Sequence, residues 1–166
     1  MIERPTVLPS EAEVWAALSR VPDPEIPVVN IVEMGIVREV QLDGARATVR
    51  MTPTFSACPA LHVIREDIAR AVRSLGLQVQ VDTVMFPPWT TDWITEEART
   101  KLSVYGIAPP GASDDGALLQ LQSDATRCPR CGSFDTRIKN TFGPTLCKTI
   151  HVCGACREPF EAFKTV

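Results

Sequence analysis

Apolar residues first recur at helical spacing: Val14, Ala17, Leu18 and Val21 share one face after Pro9-Ser10-Glu11-Ala12-Glu13, in which Ser10 and Glu13 stand at capping-box separation. The predicted helix runs into Val21-Pro22-Asp23-Pro24-Glu25-Ile26-Pro27, where three prolines in six residues forbid helix and fix an extended, nearly rigid turn carrying two carboxylates. After Gly35 the period changes to two. Ile36, Val40 and Leu42, then Ala47, Val49 and Met51, fall among polar residues on either side of Asp43-Gly44, which predicts a hairpin with one wet face. From Pro59 the period returns to three or four through Leu61, Ile64, Ile68, Val72 and Leu75, and Gly76 closes that helix. Val79, Val81, Thr83 and Met85 predict a third strand stopped by Pro87-Pro88. Ile94, Ala98, Leu102 and Tyr105 predict a last helix with Thr95 as its cap and Gly106 after it.

The order α, β, β, α, β, α describes a small α+β or α/β domain whose third strand follows a helix and can pair parallel to one strand of the hairpin by a crossover. Pro109-Pro110-Gly111-Ala112-Ser113-Asp114-Asp115-Gly116 is rich in chain breakers and acid and reads as an exposed linker, with Leu118 to Leu121 at its end. The expected division is a domain over 1–108, a linker over 109–124 and a metal-binding tail over 125–166.

Composition narrows the function. With 166 residues, 45% of them hydrophobic, the chain suffices for one modest core and a small appendage. No apolar run reaches membrane-spanning length, and Met1-Ile2-Glu3-Arg4-Pro5 is unlike a secretory leader, so the expected location is the cytoplasm, where thiols stay reduced. The six cysteines then point to metal or chemistry rather than to a disulfide framework. From Asp124 onward there are 7 basic and 4 acidic residues, against 10 and 16 before it. An acidic body argues against nucleic acid as the main partner.

Five cysteines crowd between Cys128 and Cys156. Cys128-Pro129-Arg130-Cys131 and Cys153-Gly154-Ala155-Cys156 form two CxxC knuckles, the spacing of a tetrahedral four-thiolate zinc ribbon, with strands expected at Thr136 to Lys139 and Thr145 to Val152. A tail of this size cannot bury enough core to fold alone, so metal would supply the missing stability. The same four thiolates could hold an iron-sulfur cluster or act as a redox dithiol pair. Cys147 and His151 are spare. Each could replace a ligand, and Cys147 also reads as a packed strand residue.

The sixth cysteine stands apart, in Thr52-Pro53-Thr54-Phe55-Ser56-Ala57-Cys58-Pro59. Pro59 suits the first position of a helix, which puts Cys58 at its cap, where unpaired N–H groups and the dipole favour thiolate. Its bland reading is a small buried apolar residue. Asp23 and Glu25 are candidate partners or ligands, their bland reading being turn chemistry. His62, one helical turn on, is a candidate second ligand or a surface histidine.

Asp23-Pro24-Glu25-Ile26-Pro27, Asn30-Ile31-Val32-Glu33-Met34-Gly35-Ile36-Val37, and Thr52-Pro53-Thr54 with Cys58-Pro59 together resemble the MIP18 family, also called the DUF59 domain, of iron-sulfur assembly factors. The likeness covers roughly residues 10 to 108. With the CxxC tail it narrows to the subgroup that serves a multicomponent phenylacetyl-CoA epoxidase in phenylacetate degradation. The resemblance implies a non-enzymatic accessory factor that assists cluster or metal-centre assembly, with oxygenase or reductase subunits as partners. Its reactive cysteine falls on Cys58 and its acidic turn on Asp23 and Glu25. It also implies a transient iron-sulfur cluster or iron at Cys58 beside structural zinc at Cys128, Cys131, Cys153 and Cys156. Since one cysteine cannot hold a cluster, further ligands would come from a homodimer, a partner or a small thiol. The competing classes are a structural or docking subunit, a thiol enzyme, which lacks an evident base, and a nucleic-acid-binding ribbon.

Overall fold

A computed structural model describes residues 8–110 and 126–164, so most of the expected linker, with Leu118 to Leu121, lies outside the described residues. Helix α1 (Glu11–Leu18) starts at the predicted capping box: the Ser10 N–H donates to Glu13 Oε2 at 2.7 Å and the Glu13 N–H to Ser10 Oγ at 3.3 Å. Strands β1 (Val37–Asp43) and β2 (Arg46–Met51) form the antiparallel hairpin, and β3 (Gln78–Thr83) lies parallel to β2 after helix α2 (Leu61–Arg73), giving the sheet order β1-β2-β3. The core forms where α1 and α2 meet this sheet, with Val14, Leu18, Ile64, Ile68 and Val72 buried against Ala47, Val49 and Met51.

Helix α3 (Glu96–Tyr105) is capped by Thr95, whose Oγ1 accepts from the Ala98 N–H at 3.2 Å, and ends at Gly106 with φ of +97°. Its buried face is Ala98 and Leu102, continued by Ile94 before it. Tyr105, expected on that face, is 57% exposed, because the left-handed turn at Gly106 brings Ile107 inward instead.

Strand β4 (Ile107–Ala108) then leaves the first domain and joins the sheet of the tail. There β5 (Thr136–Asn140), β6 (Lys148–Cys153) and β7 (Pro159–Phe163) complete the order β4-β7-β6-β5, with β4 parallel to β7. The tail is therefore not a free-standing module. Cys147 and Phe163 belong to the main hydrophobic core, and the Phe163 ring lies 5.8 Å from that of Trp89, whose Nε1–H donates to Met34 O at 2.9 Å. Metal has a second source of stability beside it, in apolar surface shared with the first domain.

Candidate functional site

The four tail sulfurs converge as the spacing predicted. All lie within 4.8 Å of one another, with Cys128 Sγ 3.8 Å from Cys156 Sγ and Cys131 Sγ 3.5 Å from Cys153 Sγ. A tetrahedron with Zn–S bonds of about 2.3 Å has edges of about 3.8 Å, so the sulfurs fit the ion. Both knuckles are tight turns. Gly132 adopts φ of +76°, and a Cβ at Gly154 would stand 2.1 Å from Asp135 Oδ2, so each glycine admits a close approach. The backbone N–H of Cys156, followed by the Cys131 thiol of the first knuckle and the N–H of Ala155, draws the Cys153 thiol below its ordinary value against burial, while, against the N–H of Glu158, burial and hydrogen bonds from the other three thiols push Cys156 upward. His151 takes no part in that tetrad. Its Nε2 is 3.0 Å from Thr149 Oγ1 and its ring stacks on Phe160.

The proline turn folds back on itself, with the Asp23 N–H donating to Val29 O at 2.9 Å and Pro22 bridged to Asn30. Asp23 Oδ1 accepts from the N–H groups of Glu25 at 2.8 Å and Ile26 at 2.9 Å, the turn chemistry that Asp before Pro suggests. Asp23 is nevertheless only 7% exposed, and burial pushes its carboxyl above the ordinary value against those two bonds and the charge of Lys148. Burial, followed by the charge of Asp23, raises Glu25 as well, while Lys148 and the Cys147 thiol pull it back.

Cys58 is half-buried in the loop ahead of α2. It is not the helix cap: α2 begins at Leu61 and Ala60 stands at its N-cap, so Cys58 and Pro59 belong to the preceding turn. Burial raises the Cys58 thiol, and the charges of Glu25 and Asp23 raise it further, outweighing the N–H groups of Ala60 and Leu61 that reach it. The expectation of a thiolate favoured by the helix end is corrected by this balance: the donors are there, and the carboxylates with the apolar surround are stronger. The turn lies near enough for the charges of both its carboxylates to act on the thiol. His62 sits differently. It is an exposed residue of α2 whose Nε2 pairs with Glu66 Oε1 at 3.1 Å, and it lines an open groove with Arg65, Arg70 and Arg73.

The tail supplies two groups to this region that the sequence did not assign to it. Cys147, just before β6, is 7% exposed, and its thiol donates to Glu25 Oε2 at 3.9 Å and lies 3.1 Å from Thr145 Oγ1. Burial, followed by the charges of Glu25 and Asp23, pushes it up to about 11 against the hydroxyl of Thr145. Lys148, also buried, pairs its Nζ with Glu161 Oε2 at 2.6 Å and is the cation whose charge reaches Asp23 and Glu25. The one sequence signal for Cys147 was that it fell outside both knuckles. Its approach to Glu25 depends on how the two sheets pack, which no local pattern encodes.

The molecule is thus a metal-binding α+β protein with a closed tetrad of thiols in its tail and, where the tail meets the first domain, the Cys147 thiol against the Glu25 carboxylate. Among known families, residues 11–83 match the one described as iron-sulfur cluster assembly protein, and residues 112–164 the one described as PaaD zinc beta ribbon domain. A protein of Escherichia coli K12 that carries the provisional name of a 1,2-phenylacetyl-CoA epoxidase subunit is 43% identical over 97% of both chains. An Fe-S protein maturation auxiliary factor of Porphyromonas gingivalis is 38% identical over 57% of this chain and 92% of its own. The crystal structure of a DUF59 domain from Bacillus anthracis, 30% identical, superposes with a TM-score of 0.53 over 57% of this chain and 92% of that one. The chain belongs to the MIP18/DUF59 family of iron-sulfur cluster assembly proteins, in the form that carries a C-terminal PaaD zinc ribbon. Among the described residues, no helix is long and apolar enough to cross a membrane.

Proposed function

We propose that this protein is a cytoplasmic, non-catalytic maturation factor that holds iron or an iron-sulfur species briefly at Cys58 and passes it to an oxygenase or reductase subunit of a phenylacetyl-CoA epoxidase in phenylacetate degradation. The observation that carries this reading is the contrast between the two sulfur centres. The tail tetrad is closed and suits a resident ion, whereas Cys58 stands alone and half-buried under the charge of two carboxylates, outside any closed ligand set, as a site that must release its cargo should be. The full-length similarity to the Escherichia coli protein named for an epoxidase supports the choice of client.

Within this reading Asp23 and Glu25 supply negative charge next to the thiol, Glu25 as a prospective ligand and Asp23 mainly as the brace of the turn. A cation at the site relieves the repulsion that raises these groups, and binding of a metal then drives the thiol proton off. Cys128, Cys131, Cys153 and Cys156 would hold zinc, which when bound supplies folding free energy to the ribbon over 125–166, apart from the cargo held at Cys58 in the domain over 1–108. His62, turned to the outer face and paired with Glu66, has no part in holding that cargo.

The test is maturation of the epoxidase with Cys58→Ser in place of the wild-type chain, read as iron content and activity of the purified client. Loss of both, with zinc still bound to the variant, is the expected result; a fully metallated and active client refutes the role of Cys58. A purely docking role is the alternative, favoured by the exposed side chains of Met85 and Phe86. It is the reading that survives if Cys58→Ser is silent and deletion of the tail is not.

A further inference from the structure

The reading of Cys58 as a transient iron ligand leaves the remaining ligands open, and one thiol cannot retain iron against water and competing thiols. The region where the tail meets the first domain contains a second thiol. Cys147 sits among the residues of the main core against which Cys58 also packs. Its Sγ faces Glu25 Oε2 at 3.9 Å, and the charge of Glu25 acts on both thiols. Lys164 ties the two segments together: its backbone N–H donates to Cys147 O at 2.9 Å, and its ammonium lies 5.9 Å from the ring of Phe55, three residues before Cys58.

We propose, resting on the reading above, that Cys147 is the second thiol ligand of the transient iron site, so that the ribbon completes, with Cys58 and Glu25, a centre the first domain begins. The charge count favours a cation. The three carboxylates of Asp23, Glu25 and Glu161 are set against two ammoniums, that of Lys148, which is already paired to Glu161, and that of Lys164. Two sulfurs and a carboxylate oxygen form a mixed soft and hard donor set suited to ferrous iron rather than to calcium or magnesium. The donor atoms are not drawn together as those of the tail tetrad are, since that tetrad is the one group among the described residues with every ligand atom within 4.8 Å. Closing on iron therefore takes a movement of the Cys58 loop toward the ribbon, and reopening releases the metal. A ribbon that donates a ligand also explains in chemical terms why Cys147 points toward the carboxylates rather than into the zinc tetrad.

The experiment uses the full-length, zinc-loaded protein titrated with ferrous iron in the absence of oxygen. Iron-edge X-ray absorption on the wild type should show two protein sulfurs bound to iron. Cys147→Ala, a small apolar replacement for a buried thiol, should retain its zinc and weaken iron binding by at least the roughly tenfold that even an outer-shell partner of a metal commands. One sulfur at the iron, unchanged affinity of Cys147→Ala, or two sulfurs persisting in that variant because the second comes from another copy of the chain, would each overturn the inference while leaving Cys58 in place. Unchanged affinity of Cys58→Ser would instead defeat the reading on which it rests. Should Cys147→Ala fail to fold, the sulfur count of the wild type decides.

Discussion

Phe163→Ala tests the claim that ribbon and first domain share one core. Phe163 is 5% exposed, belongs to the main cluster, and meets Trp89 with ring centroids 5.8 Å apart at an interplanar angle of 50°. Truncating a buried phenylalanine costs about 3–5 kcal/mol, of which the tilted aromatic pair accounts for about 0.5–1.5. For a chain of this length each kcal/mol moves the midpoint by about 2–4 °C, so the variant should melt on the order of 10 °C below the wild type. Zinc-replete protein unfolded in urea and followed by tryptophan emission and by far-ultraviolet circular dichroism provides the assay, with Phe142→Ala, at a residue 66% exposed, as the control expected within about 0.5 kcal/mol of wild type. The two probes should report one transition in the wild type. A cost below about 1 kcal/mol for Phe163→Ala, or a ribbon and a domain that unfold separately in the wild type, would refute the shared core.

Gly35→Ala should cost roughly 2–4 kcal/mol, because the residue has φ of +66° and a Cβ there would stand 2.5 Å from Trp93 Cβ and 2.8 Å from Trp93 O; denaturant titration of the variant checks it. Ser10→Ala removes the cap of α1 and should cost about 1 kcal/mol in the same measurement. The metal-free open site should make the protein sensitive to alkali. The Cys147 thiol is raised from its ordinary value to about 11, so the folded state holds a proton the unfolded state has lost, and stability falls as pH rises from about 9 through about 11. The loss amounts to about 2–3 kcal/mol, and Cys147→Ala should flatten the curve; a wild-type stability independent of pH over that window would contradict the burial of the thiol. Cys153→Ser should lower bound zinc and, through the ribbon, loosen the fold around Phe163, read as a loss of the single unfolding transition.

Where a pattern was local, it was legible. The capping box at Ser10, the hairpin about Gly44 and the convergence of the four tail sulfurs follow from spacing, because each is decided within a few residues or by the valence of one ion, and the third strand takes the parallel pairing that a crossover allows. Helix α2 starts two residues later than Pro59 suggests, since proline suits a turn as well as the first helical position, and Ala60 carries no side-chain cap to mark the boundary. Strand β7 has no clear sequence signal, because Phe160 and Ala162 alternate only once before Phe163 breaks the period, and β4 is two residues long. The thiol at Cys58 illustrates a different gap. A helix terminus nearby favours a lowered thiol and an acidic turn folded over it a raised one; the sign is set by burial and by carboxylates 33 and 35 residues upstream, and those depend on tertiary packing. The approach of Cys147 to Glu25 is the same kind of information.

The central claim is that iron passes through Cys58. Protein loaded with isotopically labelled iron and sulfide without oxygen, mixed with metal-free epoxidase subunits and separated after timed intervals, follows that passage directly. The wild type should carry the label and lose it to a client protein, and Cys58→Ser, with its zinc intact, should neither hold nor deliver it. Delivery by Cys58→Ser at the wild-type rate would contradict the account.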